Sequence, residues 1–519
     1  MELAENGPED KPTRVTYDDA LSMAKFGTFN IVLFLLAGTI LTAFLLEVMG
    51  ISYVVAVADQ DLLITTKEKG ILTAVGFIGV IVSSHLWGFL ADTYGRRRVI
   101  VPTLFITFVI SAISSFTISF WSITLLRFMA GFFISGPSAT IYAYVGEFHS
   151  RKNGSRAIMA VSFVYGLGGI LLPAIAYIVL SQDWQLPIPV LGIIYRPWRL
   201  YLLVSSLPGV VCAIILLMFP ESPKFTLNQG DMQKAIEAIQ WVYRFNSNCR
   251  DRTLKIEYLE CDAEDQLGKR GLGTSNGCSA LSKLIWNQTA PLFMGTHLRV
   301  TIIVCVLQFG TYLTAHGLFM FLPQIVDQLA TVKDSGVQSI NVCQIVNDRM
   351  NFGAVAEDVH PDTANQTLHD MVFKLSLLIE ILYAVGFAVI AVIINTVGRL
   401  SILVSVFVGC GVAGVLLIFV SEPTVVMALY VVLLMSGFTA SVVNAVVVDL
   451  YPTSLRAMAV CIALMFGRLG TVVGSNMLGV LLENYCELTF VIPSVLLIVC
   501  GLLSFFIPNI RKGVRSGSG

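Results

Sequence analysis

Apolar residues along this chain gather in long runs separated by polar links. A helix needs about 20 mostly apolar residues to cross a hydrocarbon core of about 30 Å. Twelve such runs are read, at roughly 27–49, 70–91, 99–117, 121–145, 157–180, 200–219, 299–322, 371–394, 400–420, 424–447, 457–482 and 488–507. Two links are long, 220–298 and 323–370. The expected fold is an all-α membrane protein of twelve transmembrane helices in two six-helix bundles. Its expected parts are a first segment 1–26, a bundle 27–219, the central link 220–298, a bundle 299–510 that includes the 323–370 loop, and a tail 511–519 ending in a Ser-Gly-Ser-Gly linker.

Composition narrows the classes. Of 519 residues 55% are hydrophobic and 13% charged, where soluble domains carry about 25% charged residues. Mean hydropathy is +0.78. A soluble globule has too little interior for that much apolar surface, which excludes a soluble enzyme, and the same numbers exclude disorder and a coiled coil. The net charge of −1 argues against a nucleic-acid partner, which requires a basic face. The ten cysteines form no CxxC pair. Neither nucleophile elbow, phosphate-binding loop nor selectivity ring is visible, so no enzyme activity, metal, cofactor or channel is expected. The polar first 25 residues contain no signal-peptide core.

Lys and Arg set the orientation. With both ends cytosolic, the cytosolic segments hold 24 of the 33 and the other side six. The reverse would export Arg96-Arg97-Arg98 and the basic central link. Within that link, Met232, Ile236, Ile239 and Val242 share one face of a helix over 231–245, with Lys234 and Glu237 on the polar face. Such a helix is expected to pack beneath the bundle.

The halves echo each other. Asp92-Thr-Tyr-Gly-Arg-Arg97 follows the second run, and Asn395-Thr-Val-Gly-Arg-Leu400 follows the eighth, 303 positions on. Glu147 and Asp449 close the fourth and tenth runs, 302 apart, and Arg156 and Arg456 open the next ones. Gly131 and Gly437 add a third pair. Duplicated bundles place their ligand site between the halves near the midplane. Gly88 and Gly95 are expected to allow close helix approach and a tight turn. Asp92 and Arg96 are expected to pair at the cytosolic mouth, in contacts that join the halves in one state and break in the other.

These residues carry a resemblance. Gly88-Phe-Leu-Ala-Asp92-Thr-Tyr-Gly95-Arg96-Arg97 resembles the signature of the major facilitator superfamily, and Arg127-Phe-Met-Ala-Gly131 its fourth-helix motif. Pro220-Glu221-Ser222-Pro223-Lys224-Phe225 and Asp449-Leu-Tyr-Pro-Thr-Ser-Leu-Arg456 resemble the sugar- and organic-ion-transporter motifs. Within the superfamily, Tyr17-Asp-Asp-Ala-Leu, Trp198-Arg199 and Phe466-Gly-Arg468-Leu-Gly470 resemble the synaptic vesicle glycoprotein 2 group. Glu47 matches the second acid of that group's first-helix pattern, whereas Phe44 replaces the first. Gln308, Ala315 and His316 replace its seventh-helix aromatics, and Gln308 is expected among the residues of the substrate or proton site. The resemblance implies a plasma-membrane or vesicle-membrane address.

An ionisable side chain inside a span costs about 2.5–3.5 kcal/mol on insertion scales, so it calls for a partner or water. Glu47 is expected to face a cavity and hold a proton or a substrate amine, and Arg127 to brace the bundle. Glu380 and Arg468 either pair with each other or serve the cavity. His316 either titrates or simply packs. Phe34, Tyr165, Phe309 and Tyr312 either line the cavity with cation–π faces or make ordinary helix contacts. The expected function is secondary transport of a small organic ion, cation or zwitterion, by a proton-coupled monomer in the lipid bilayer. The alternative is a transporter-like receptor or regulator, suggested by Asn395 and Leu400 in the second-half motif. Of the sequons at Asn153, Asn287 and Asn365, only Asn365 lies outside the cytosol in this topology and is the expected acceptor. Cys343 and Cys486 are the two cysteines on that side and are expected to form a disulfide.

Overall fold

The structure, a computed structural model, describes residues 14–62, 64–189, 192–247, 254, 256, 258–260, 290–334, 370–451 and 453–507. Among the described residues, twelve helices are long and apolar enough to cross a membrane. They are Thr28–Val57, Lys67–Tyr94, Arg96–Ser114, Phe120–Glu147, Ala160–Leu180, Pro197–Leu216, Leu298–Val326, Met371–Ile390, Arg399–Leu416, Thr424–Asn444, Ile462–Leu482 and Cys486–Ser504. They are called the first to twelfth spans. The near face is where the first begins, and the far face lies opposite.

Each expected run is present, and the differences are at ends. The first helix goes on through Gly50 to Val57. The seventh continues to Asp334, past the boundary expected at 322, because hydrogen bonding carries a helix into polar sequence where apolarity stops. The tenth passes through a 3-10 turn at Met435–Gly437.

Close packing holds each half together. A Cβ on Gly131 of the fourth span would strike the Gly76 backbone of the second, so only hydrogen fits there. In the second half the seventh and eleventh spans share the most extensive contact. Between halves, contact lies at the far face. Gly70 abuts the Ser475–Asn476 backbone, and the Phe373 ring stacks on Tyr53 at 6.4 Å and meets Tyr177 edge-on at 5.3 Å. At the near face Asp92 has a side chain 73% exposed, and Tyr94 is exposed as well. A Cβ at Gly88 or Gly146 would find no atom within 4 Å, so the close approach expected at Gly88 is not made. The halves thus meet at the far face and part toward the near face.

Beyond the spans, β1 (Arg14–Thr16) and β4 (Tyr258–Glu260) pair in parallel, and β2 (Leu186–Ile188) and β3 (Ile193–Tyr195) form a hairpin at the far face. The central-link helix Met232–Ser247 buries Ala235, Ala238, Ile239 and Val242, close to the face expected. Its Trp241 and Phe245 join Phe148 and Phe219 around Phe29, with ring centroids 5.3–6.2 Å apart. This seats the link beneath the first bundle.

Candidate functional site

At the near-face mouth, the chain reverses between the second and third spans through Gly95 at φ +113°, a conformation that side chains resist. The third span opens there with unpaired backbone N–H groups. Glu221 caps it, accepting from Arg97 N at 3.0 Å and Arg98 N at 3.2 Å, a carboxylate at the positive helix end. Arg97 donates to the carbonyls of Leu216 (3.0 Å) and Leu217 (2.6 Å). Arg96 pairs with Asp92 at 2.7 Å and Glu147 at 3.0 Å. The Asp92–Arg96 pair is present, but Asp92, Arg96 and Glu147 all belong to the first half. The expectation that the pair joins the halves is corrected for this conformation: with the mouth open, Arg96 finds its acids within its own bundle. Arg156, Asp449 and Arg456 lie on helices, with side chains outside the described residues.

Glu47 departs from expectation as well. It is buried, and Arg127 Nη1 meets its Oε2 at 3.0 Å. Ser111 Oγ lies 2.8 Å from both carboxylate oxygens, and Arg127 Nη2 donates to Ser111 (2.9 Å) and Ser114 (2.6 Å). The carboxylate is buried in a cluster of the first, third and fourth spans, all within one half. Arg127 joins the first, third and fourth spans through these contacts.

A second polar group occupies the seam. Arg468 Nη1 donates to Ser84 Oγ of the second span at 2.8 Å, and its guanidinium lies 5.9 Å from the Phe44 ring. Ser84 approaches Ser135 of the fourth span at 3.1 Å. Glu380 of the eighth span abuts Gly169 of the fifth, where an added Cβ would lie 2.5 Å from Oε2. The alternative in which Glu380 and Arg468 pair is not realised; Arg468 reaches across to Ser84, and no ion pair reaches Glu380 among the described residues. Tyr165 lies within electrostatic range of both, and of Tyr142 and Tyr312. The Tyr312 ring is 4.4 Å from His316, whose Nδ1 is buried without a partner. Fixed hydroxyls, one acid and one guanidinium therefore surround the seam.

Two expected members are elsewhere. Phe34 stacks on His149 at 5.2 Å near the near face, away from Tyr165 and Tyr312, a correction that follows from its position two turns into the first span. Gln308 is fully buried and donates to Asn444 at 2.7 Å, within the second half. Phe309 lends its backbone to the packing of Gly470. Sequence reasoning passed over Ser84, Ser111, Ser114 and Tyr142, since serines and tyrosines are frequent in spans and carry no charge to mark them. Asn287, Asn365 and Cys343 lie outside the described residues, as does the Asn153 side chain. Cys486 is buried and is not among the free thiols Cys212, Cys305, Cys410 and Cys500.

Known proteins share this plan. The chain is 23% identical over 384 residues to Synaptic vesicle glycoprotein 2B of Mus musculus, covering 72% of this chain and 54% of that one. It is 25% identical over 330 residues to Synaptic vesicle glycoprotein 2A of Rattus norvegicus, covering 61% and 44%. The chain thus spans about half the length of these curated relatives. Among solved structures, the partially occluded inward-open xylose transporter XylE from E. coli matches with TM-score 0.62 at 13% identity, covering 92% of this chain and 99% of that one. Its inward-open form gives 0.62 at 14%, covering 94% and 97%. The Major Facilitator Superfamily description matches residues 29–347. With the twelve spans and the two bundles, that match shows that this chain belongs to the Major Facilitator Superfamily, related to its synaptic vesicle glycoprotein 2 branch.

Proposed function

We propose that the protein is a secondary transporter that moves a small organic ion by alternating access. One observation carries the reading. The halves are joined at the far face and part toward the near face, with Glu380, Arg468, Tyr165 and Tyr312 at the seam between them. That is one of the two states such a cycle requires. The likeness to inward-open XylE supports it. An acid and a guanidinium on facing parts of one seam suit a zwitterion best, and Glu380 suits a cation. Proton coupling is assigned to Glu380, the acid at the seam, and to the Glu47–Arg127 pair, where gaining a proton would change the bonding around a buried carboxylate.

The same reading places both termini in the cytosol, a glycan on Asn365, a Cys343–Cys486 disulfide in the far-face links, and the protein in a plasma or vesicle membrane. Uptake into proteoliposomes with an imposed pH gradient, across a panel of organic cations, anions and zwitterions, tests it. Gradient-driven accumulation of a zwitterion or cation is expected, weakened by Glu380→Gln and made pH-insensitive by Glu47→Gln. Saturable binding with no accumulation of any solute would favour the receptor reading suggested by Asn395 and Leu400.

A further inference from the structure

We propose that His149 closes an acid-labile clasp that fastens the central-link helix to the first bundle. The clasp begins at Asn246, in the last turn of helix Met232–Ser247. Its Oδ1 accepts from Phe29 N at 2.9 Å. Its Nδ2 donates to the carbonyls of Ala24 (3.2 Å) and Lys25 (2.7 Å), and to Asn30 Oδ1 (3.2 Å). Asn30 Oδ1 also accepts from Gly27 N at 3.0 Å, which leaves Asn30 Nδ2 at 2.9 Å from His149 Nε2. On the other side of the ring, Nδ1 lies 2.8 Å from the Val145 carbonyl.

This network fixes its own protons. Turning the Asn246 amide would aim its NH2 at the Phe29 N–H. Turning the Asn30 amide would aim its NH2 at the Gly27 N–H and the NH2 of Asn246. Both amides are therefore held as described, so Asn30 must donate to Nε2 and Nε2 must accept. The Val145 carbonyl accepts, so Nδ1 must carry the hydrogen. Only the neutral Nδ1–H imidazole meets both demands. A second proton would set N–H against N–H2 in a site where His149 and Asn30 are both buried.

Among the described residues, no carboxylate is placed against the ring to take up the extra charge. Phe34 covers the ring from the first span. Glu147, two residues back on the fourth span, is engaged by Arg96. Lys25 offers the clasp its carbonyl only, and its side chain is exposed. The central-link helix contributes Asn246 and no charged group. Arg151 and Lys152 follow in the chain with side chains outside the described residues, and their sign disfavours another cation. Burial holds His149 below the ordinary histidine range, with the Val145 bond a smaller opposing influence. A depressed histidine contributes stability above its unfolded pKa and loses it as pH falls through its own. Acid at the near face should therefore release residues 24–30, the end of the fourth span and the link helix from one another, beside the crevice mouth. This holds whether or not the chain moves solute.

Hydrogen exchange on the full-length protein in lipid nanodiscs tests the clasp. After correction for intrinsic exchange, protection of residues 24–34 and 232–247 is expected to fall about tenfold from about pH 7.5 to about pH 5. His149→Gln keeps an acceptor near the Nε2 position and gains no proton, so its protection should stay level. Asn30→Asp replaces the facing amide by a carboxylate oxygen, which favours imidazolium, so acid should tighten that variant. Wild-type protection that ignores acid overturns the proposal. So does a fall of the same size in the folded His149→Gln or Asn30→Asp protein.

Discussion

Among the ion pairs of the described residues, Arg127–Glu47 is the most deeply buried. Each is nearly sealed from solvent, and Arg127 already buries an Nε with no partner. Removing one member strands the other charge in a low dielectric, at a cost of about 3–5 kcal/mol, whereas replacing both by apolar groups removes the problem along with the pair. Glu47→Leu and Arg127→Met are each expected to lower the unfolding temperature in detergent sharply. Glu47→Leu combined with Arg127→Met should cost much less than the two single changes together. Additive losses would show that the pair is not coupled. The two charges were visible in the sequence because a charge inside a span calls for explanation. Their pairing was not, since 80 residues separate them and the serines that complete the cluster resemble any others. Glu47 was accordingly expected to face a cavity and is instead buried within one half. The same limit hid Ser84 from any reading of Arg468.

At the scale of the element, the third span shows how a short motif specifies a helix start. Asp92, Gly95, Arg96 and Arg97 stood out in the sequence through their spacing. Glu221 entered only through a resemblance, because nothing in a one-dimensional pattern says that a residue 124 positions on caps this helix. Gly95 is required twice over: its φ is +113°, and a Cβ would lie 2.5 Å from Glu221 Oε2. Gly95→Ala is therefore expected to cost about 1–3 kcal/mol in backbone strain, with loss of the cap added. Glu221→Ala should cost about 0.5–2 kcal/mol, the usual range for a lost cap. Thermal unfolding of the purified protein reads both, and an Ala variant at 95 as stable as wild type would refute the turn geometry. Helix ends were less legible than helix starts. The seventh helix runs through Pro323 to Asp334: a proline stands where apolarity drops, and the residues beyond it continue the helix all the same, so a residue that ordinarily breaks a helix does not mark its end here.

For the whole molecule, the twelve spans, their duplication and the superfamily were legible because the bilayer imposes span length and the repeat imposes spacing. The conformation was not. Under the proposed alternating access, one sequence encodes both packings of the pair of bundles, which differ by a few kcal/mol, so no residue pattern names the state adopted. The geometry does name it, and indicates how to change it. Gly70 sits in the closed far-face seam, where a Cβ would be 3.1 Å from the Ser475 carbonyl and 3.4 Å from Asn476 Cα, already a tight approach to the facing backbone. Gly88 faces open space at the other end of the same span. Gly70→Leu should wedge the far face apart and shift the population toward the state open there, while Gly88→Leu should obstruct closure of the near face and keep the present state. A cysteine placed at Tyr53, buried now behind Phe373, reports the difference through its labelling by a membrane-impermeant thiol reagent applied from the far side. Labelling is expected to rise severalfold in the Gly70→Leu background and to stay at its starting level with Gly88→Leu. Equal labelling in both backgrounds would mean that the two seams do not trade places, and with it the alternating cycle would lose its physical basis.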